Sequence, residues 1–230
     1  GKIGNRVTSL LGAFSGFTEI FQAFSGISIP NKILRYEKDL FNNLNQLSDI
    51  IKDNSMTTLR LVANPDSFSI ENAKRAFMAA SLYGINTDLA VINKIFPYKD
   101  TEVKSDEFYT NWTKFQHVKV REAKSNFYPL PIREVPLHST ELAGIEMLRA
   151  NADIIFGDDD PSMIFYTGKP YSVIDQPPKN LKISVKVPFT QKQDYDIKRL
   201  GSEVIIKLDS PTGYLVNVIP LPTITFDMKM

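Results

Sequence analysis

Two strings hold the residues of this chain best suited to bind a ligand: VINKIFP at Val91 to Pro97, and PLPIREVPLHSTELAGIEML at Pro129 to Leu148. Asn93 brings a side-chain amide that both donates and accepts hydrogen bonds, and Pro136 falls near the end of a predicted strand. Together the strings look like the base-binding end of a nucleotide-binding α/β domain. From the residues alone a second reading stands beside it: Asn93 caps a strand-to-helix turn and Pro136 ends a strand, because such turns favour Asn and Pro whatever is bound. No phosphate loop accompanies the strings. A P-loop needs G-x-x-x-x-G-K-[ST], so that backbone N–H groups cradle phosphates, Lys meets the β/γ oxygens and a hydroxyl holds Mg²⁺; Gly1-Lys2-Ile3 lacks the hydroxyl and the first Gly.

Other chemistries find less support. Without cysteine there is no disulfide, thiolate metal site or cysteine nucleophile. His117 and His138 show no zinc-ligand spacing, so no metal site is expected. Asp158, Asp159 and Asp160 lack the ligand spacing and closing Glu of an EF-hand and read as a solvated acidic loop. Glu134, Glu141 and His138 suggest acid–base work, but Glu141 fits the first turn of a helix N-capped by Ser139 equally well. No catalytic residue is assigned. Phe108, Tyr109, Trp112 and Phe115 fall at helical spacing with no Lys/Arg stripe, so they read as core and not as a platform for stacking nucleic-acid bases.

The 230 residues can bury a sizeable core, and 43% apolar with 23% charged residues is ordinary for a soluble globular protein. A net charge of +1 gives no global field to recruit nucleic acid or an anionic membrane. Absence of cysteine fits a reducing, cytoplasmic setting.

The elements that must position Asn93 and Pro136 follow from periodicity. Val7, Leu10, Leu11, Phe14, Phe17, Phe21 and Phe24 predict an amphipathic helix whose other face is small or weakly polar and so needs a second partner. Ser, Gly, Thr, Gln and Glu19 interrupt this run, which argues against a membrane span. A second helix is predicted over Lys32 to Lys52, burying Ile33, Leu34, Leu40, Phe41, Leu44, Leu47, Ile50 and Ile51. Strands at Thr57 to Asn64, DLAVINKIF and Pro131 to Val135 then alternate with helices over Ser69 to Tyr83, Ser105 to Lys124 and Ser139 to Phe156. That alternation implies a parallel sheet with ligands at the carboxyl ends of its strands. GDDDP and QPPKN read as a loop and a stiff linker. Leu181, Ile183, Val185 and Val187 alternate with polar residues, and EVIIKL, GYLVNVI and TITFDM supply further strands of a small β appendage. The expected organisation is a helical segment at 1–55, the C-terminal half of an α/β domain at 56–157, a linker at 158–180 and a small β domain at 181–230.

Over about Tyr36 to Leu208, TTLRLVANPD, IENAKRAFMAASLYGI, VINKIFP, PLPIREVPLHSTELAGIEML, KVPF and DIKRLGSEVIIKL occur in an order and spacing that resemble the arsenite-pump and tail-anchored-protein-targeting ATPases. The closest likeness is to variants with a small heat-shock-like, α-crystallin-like C-terminal β domain. The resemblance implies a partial P-loop-NTPase-like parallel-sheet domain with a helical insertion, plus a sandwich-like all-β domain. It implies that Asn93 hydrogen-bonds adenine, whose N6–H and ring nitrogen match an amide, and that Pro136 packs on the base. It further implies ATP and Mg in the full-length parent, a homodimer, and a hydrophobic client on Leu10, Phe14, Phe17, Phe21 and Phe24. Without Cys, a thiolate arsenite site in this segment is excluded, which points toward hydrophobic or targeting ligands. The P-loop, switch aspartates and metal-coordinating residues of that family lie N-terminal to the matched region. The expectation is therefore a chain that does not hydrolyse ATP alone and needs an N-terminal nucleotide-binding half. A non-enzymatic binding or chaperone-like module built on the apolar helix and β domain is the alternative.

Overall fold

The structure is a computed structural model that describes residues 31–97, 107–176, 180–210 and 213–221. The chain divides into two compact units, one of residues 52–189 and one of residues 1–51 with 190–230.

The 52–189 unit is built on three parallel strands. Strand β1 (Leu59–Ala63) leads through Pro65 to a helix, Ser67–Leu82, whose N-cap Asp66 accepts the Ser69 amide at 2.8 Å. We number helices from α1 (Asn31–Lys52), so this one is α2. Gly84, at φ +80°, ends it where a side chain would strain the backbone. Strand β2 (Thr87–Ile95), α3 (Glu107–Asn126), β3 (Ile132–Pro136) and α4 (Ile145–Phe156) complete the alternation, and the sheet order is β1-β2-β3. Central β2 is buried continuously from Thr87 to Ile92, as a strand covered on both faces requires. Leu61, Ala63, Ala90 and Ile92 pack with Ile70, Ala73, Val120, Ala123 and Phe127 in one core; Leu89, Val91 and Val135 pack with Ile155, Phe156 and Phe165 in the other.

The start of β2 is unusually polar for a core. Asp88 is completely buried and is met by Arg60 Nε at 3.3 Å and by the Phe165 amide at 3.3 Å. Arg60 also donates to the Met163 carbonyl at 2.9 Å, and its guanidinium lies over the rings of Phe156 and Phe165. Asn86, likewise buried, donates to the Tyr166 carbonyl and accepts the Gly168 amide, both at 2.8 Å. Residues 163–168 are thereby fixed along the sheet. They lead to an antiparallel pair, β4 (Tyr171–Gln176) and β5 (Asn180–Val185), in which Lys182 and Ser184 are exposed and Ile183 and Val185 are not. Phe189 ends this unit against Phe77 and Phe127, with ring centroids 6.1 and 6.0 Å away.

Among the described residues the second unit contains α1 and an antiparallel sheet, β6-β7-β8, of Tyr195–Leu200, Glu203–Ser210 and Gly213–Pro220. Ile206, Leu208 and Ile219 are its buried side chains among the described residues.

Several sequence expectations change. The apolar stripe of α1 is exposed, not buried, at Leu40, Phe41, Leu44, Leu47 and Ile50. Phe108, Trp112 and Phe115 are also exposed and meet one another edge to face, so they are not core. The last helix of the sheet unit starts at Ile145 behind Gly144, leaving Ser139 and Glu141 in the preceding loop. Leu137 donates its amide to Ile95 and His138 bonds Asn151, which keeps the chain extended past the point where Ser139 would have capped a helix. Where a linker was expected, the 163–168 contacts and β4 occur, and QPPKN joins β4 to β5. The helix at 7–24, with Leu10, Phe14, Phe17, Phe21 and Phe24, and the TITFDM strand lie outside the described residues.

Removing one partner of a buried ion pair leaves the other uncompensated, so Asp88→Ala is expected to destabilise the fold by about 3–5 kcal/mol. Urea unfolding checks the magnitude, and faster tryptic cleavage after Lys169 would show release of the 163–168 segment.

Candidate functional site

Asn93 and Pro136 both lie at the carboxyl ends of adjacent strands, β2 and β3, and Pro136 pairs with Ile95. Ile92 pairs with Glu134 and Ile95 with Pro136, so β2 takes one more residue than β3 to cover the same step. The extra residue is a bulge at Asn93–Lys94, a device that re-aims side chains at sheet rims. Lys94 accommodates it in the left-handed region, at φ 60°. The Lys94 amide turns back to donate to Asn93 Oδ1 at 3.0 Å. Among the described residues Asn93 Nδ2 has no partner, and Oδ1 keeps a second lone pair. Asn93 is half-buried and Lys94 exposed, so the amide sits at the surface of the strand end.

The bulged end is held from two sides. Leu137 donates its amide to the Ile95 carbonyl at 2.7 Å, which fastens the end of β2 beside Pro136. From α3, Gln116 Oε1 accepts the Phe96 amide at 2.7 Å and Nε2 donates to the Lys94 carbonyl at 3.4 Å. Phe96 stacks on Tyr109 at 5.4 Å between centroids, and the Tyr109 hydroxyl donates to the Pro97 carbonyl at 2.6 Å. Sequence reading passed over Gln116 and Lys94. Gln116 had a usable signal, since it shares the inward stripe of Thr113, Val120 and Ala123; the left-handed backbone of Lys94 had none.

The other polar candidates serve the scaffold. Glu134 pairs with Lys124 at 2.5 Å on the surface, and His138 Nε2 lies 2.9 Å from Asn151 Oδ1. In the acidic loop Asp159 pairs with Arg133, and Asp160 accepts both the amide and the hydroxyl of Ser162 at 2.8 Å. Those two bonds, the amide first, hold the Asp160 carboxyl below the usual carboxylate range. Among the described residues no group of three or more His, Asp or Glu side chains could hold a metal ion. No helix among them is long and apolar enough to cross a membrane.

An open cavity of about 360 Å³ lies elsewhere, along β1 and α2, lined by residues 61–64 with Ser69, Asn72, Ala73 and Ala76. It does not include Asn93 or Pro136. Val62 beside it is 64% exposed, and α4 buries none of its residues.

A family model described as anion-transporting ATPase matches residues 2–157 of this chain. A protein of Aquifex aeolicus that carries the name arsenical pump-driving ATPase 1 is 29% identical over 168 residues, which is 73% of this chain and 42% of that protein. A Chlorobaculum tepidum protein of similar name is 26% identical over 193 residues, 84% of this chain and 45% of its own. One from Halobacterium salinarum is 24% identical over 115 residues, 50% of this chain and 17% of its own. The chain thus spans less than half the length of the curated relatives it matches.

A β-branched residue in the left-handed region is strained, whereas glycine is not. Lys94→Val is therefore expected to lower stability by about 2 kcal/mol and Lys94→Gly to change it by less than about 1 kcal/mol. Equal urea midpoints for the two variants would contradict the left-handed assignment.

Proposed function

Because this chain belongs to the anion-transporting ATPase family, we propose that it supplies the adenine-binding wall of an ATP site completed by another part of the protein. The observation carrying this reading is the bulged end of β2, which leaves Asn93 Nδ2 without a partner among the described residues, at the carboxyl end of a parallel sheet where Pro136 ends the adjacent strand. Nδ2 would donate to adenine N1 and Oδ1 would accept N6–H, while Pro136 packs on the base. The residues fit a base; they do not fit a triphosphate or Mg, since the sequence has no P-loop motif and, among the described residues, no group of three or more His, Asp or Glu side chains could hold a metal ion. ATP and Mg belong to the family, and their phosphate chemistry is assigned to the half that this chain does not span.

Exposed surface supports such a complementary half. Val62 stands open on β1, at the edge of the described sheet, and Ile145, Leu148 and Ile154 are exposed on α4. We place the protein in the cytoplasm as a homodimer, with the β6-β7-β8 sheet as part of an α-crystallin-like, sandwich-type interaction domain. The relatives' names refer to arsenicals, but a chain without cysteine offers no thiolate for one. The helical segment is better suited to a hydrophobic protein client, a reading favoured by the exposed Leu40, Leu44, Leu47 and Ile50 of α1 and extended to Leu10, Phe14, Phe17, Phe21 and Phe24.

In the full-length protein, Asn93→Ala is expected to weaken ATP binding about tenfold, one or two hydrogen bonds' worth, without changing tripolyphosphate binding. Calorimetric titration reads both, and unaltered ATP affinity would remove Asn93 from the site. Leu44→Asp with Leu47→Asp should abolish client capture and leave nucleotide affinity intact; client binding at wild-type level would sink the apolar-helix reading.

A further inference from the structure

We propose that Gln116 is a positioning residue for base recognition, fixing the orientation of the Asn93 amide through the backbone of Lys94. The inference rests on the adenine-wall reading and adds what makes that wall selective. Gln116 is only 8% exposed, and its amide spans the strand end, with Oε1 on the Phe96 N–H at 2.7 Å and Nε2 on the Lys94 carbonyl at 3.4 Å. These two backbone groups flank Ile95, whose own carbonyl takes the Leu137 amide. Where the bulge interrupts the ladder with β3, a side chain from α3 stands in for a neighbouring strand.

The consequence reaches Asn93 in one step. Lys94 offers its carbonyl to Gln116 and its N–H to Asn93 Oδ1, so one residue carries the clamp on one side and the base-facing amide on the other. Adenine presents an acceptor at N1 and a donor at N6; hypoxanthine presents the reverse, a donor at N1 and an acceptor at O6. An amide free to rotate by half a turn would match either base equally. With Oδ1 held by Lys94 N–H, only the adenine pattern is satisfied. Gln116 keeps Lys94 in the left-handed conformation that makes this hold, and so sets base selectivity without touching the base.

The test uses the full-length protein and compares ATP with inosine triphosphate in steady-state hydrolysis and in direct binding. Wild type is expected to favour ATP in KM by about tenfold. Gln116→Met, similar in length and apolar, should bring the two KM values together while kcat and the affinity for tripolyphosphate stay unchanged. Val120→Ala, a buried position on the same helix, controls for loss of stability and should leave the ratio as it was. If Gln116→Met does not fold, Gln116→Glu, which retains an acceptor for the Phe96 amide, takes its place and should shift the ratio in the same direction.

Three results overturn the inference. A wild-type ratio in Gln116→Met, while Asn93→Ala loses it, leaves the adenine wall standing and removes Gln116 from its control. An equal loss in Val120→Ala makes the effect one of stability alone. A ratio unmoved by Asn93→Ala removes the adenine wall itself, and with it the role of Gln116.

Discussion

The carboxyl group of Asp88, withdrawn entirely from solvent at the start of the central strand, dictates much of what surrounds it. A buried polar group of this kind is tolerated only when its lone pairs are taken up. The partners here come from far away in sequence: Arg60 on β1 and the backbone amide of Phe165 beyond α4. Satisfying one side chain therefore aligns β1 with β2 and draws residues 163–168 onto the sheet. Arg60 extends the effect, since it also lies over the rings of Phe156 and Phe165 and bonds the Met163 carbonyl. The neighbouring Asn86 repeats the arrangement with Tyr166 and Gly168.

Strand β2 thus has two polar ends and an apolar middle, and the ends differ in what they leave open. At the amino end the side-chain groups of Asn86 and Asp88 are engaged by the protein itself, which makes that end a structural lock. At the carboxyl end the backbone is engaged by Gln116 and Leu137, while the amide nitrogen of Asn93 keeps no partner among the described residues. Open parallel sheets bind ligands at this second end.

Much of the sheet unit was legible because its strands and helices have different hydrophobic periods and occur in strict alternation. DLAVINKIF reads as a strand from its continuous apolar run, and Asn93 and Pro136 follow as strand-end residues. The misreadings share a physical cause. Periodicity in α1, and in the aromatic run Phe108, Trp112 and Phe115, shows that a face is apolar; it does not show whether a partner covers it, and both faces are exposed. Ser139 with Glu141 looked like a helix start because local capping chemistry is all that a sequence window contains. The bonds from Leu137 to Ile95 and from His138 to Asn151 are long-range, and they delay the helix to Ile145. The polar segment after Phe156 likewise looked like a linker, because its attachments to Asn86 and Asp88 lie far back in the chain.

The strain at Lys94 gives the site its internal logic. A non-glycine residue in the left-handed region costs about 1–2 kcal/mol, and the neighbouring Asn93 offers only one hydrogen bond against it. Each hydrogen bond that depends on the bulge contributes about 1 kcal/mol net, and three converge on it: Gln116 to Lys94, Phe96 to Gln116, and Lys94 to Asn93. The conformation is therefore held by tertiary partners acting together, two of the three bonds passing through a buried glutamine on another element. Undoing the bulge would restore an ordinary strand end and turn the following side chains to the opposite face of the sheet, since side chains alternate with period two. A single extra residue in β2 thus decides which side of the sheet the residues after it present, and the hydrogen bonds through Gln116 offset the local strain at Lys94.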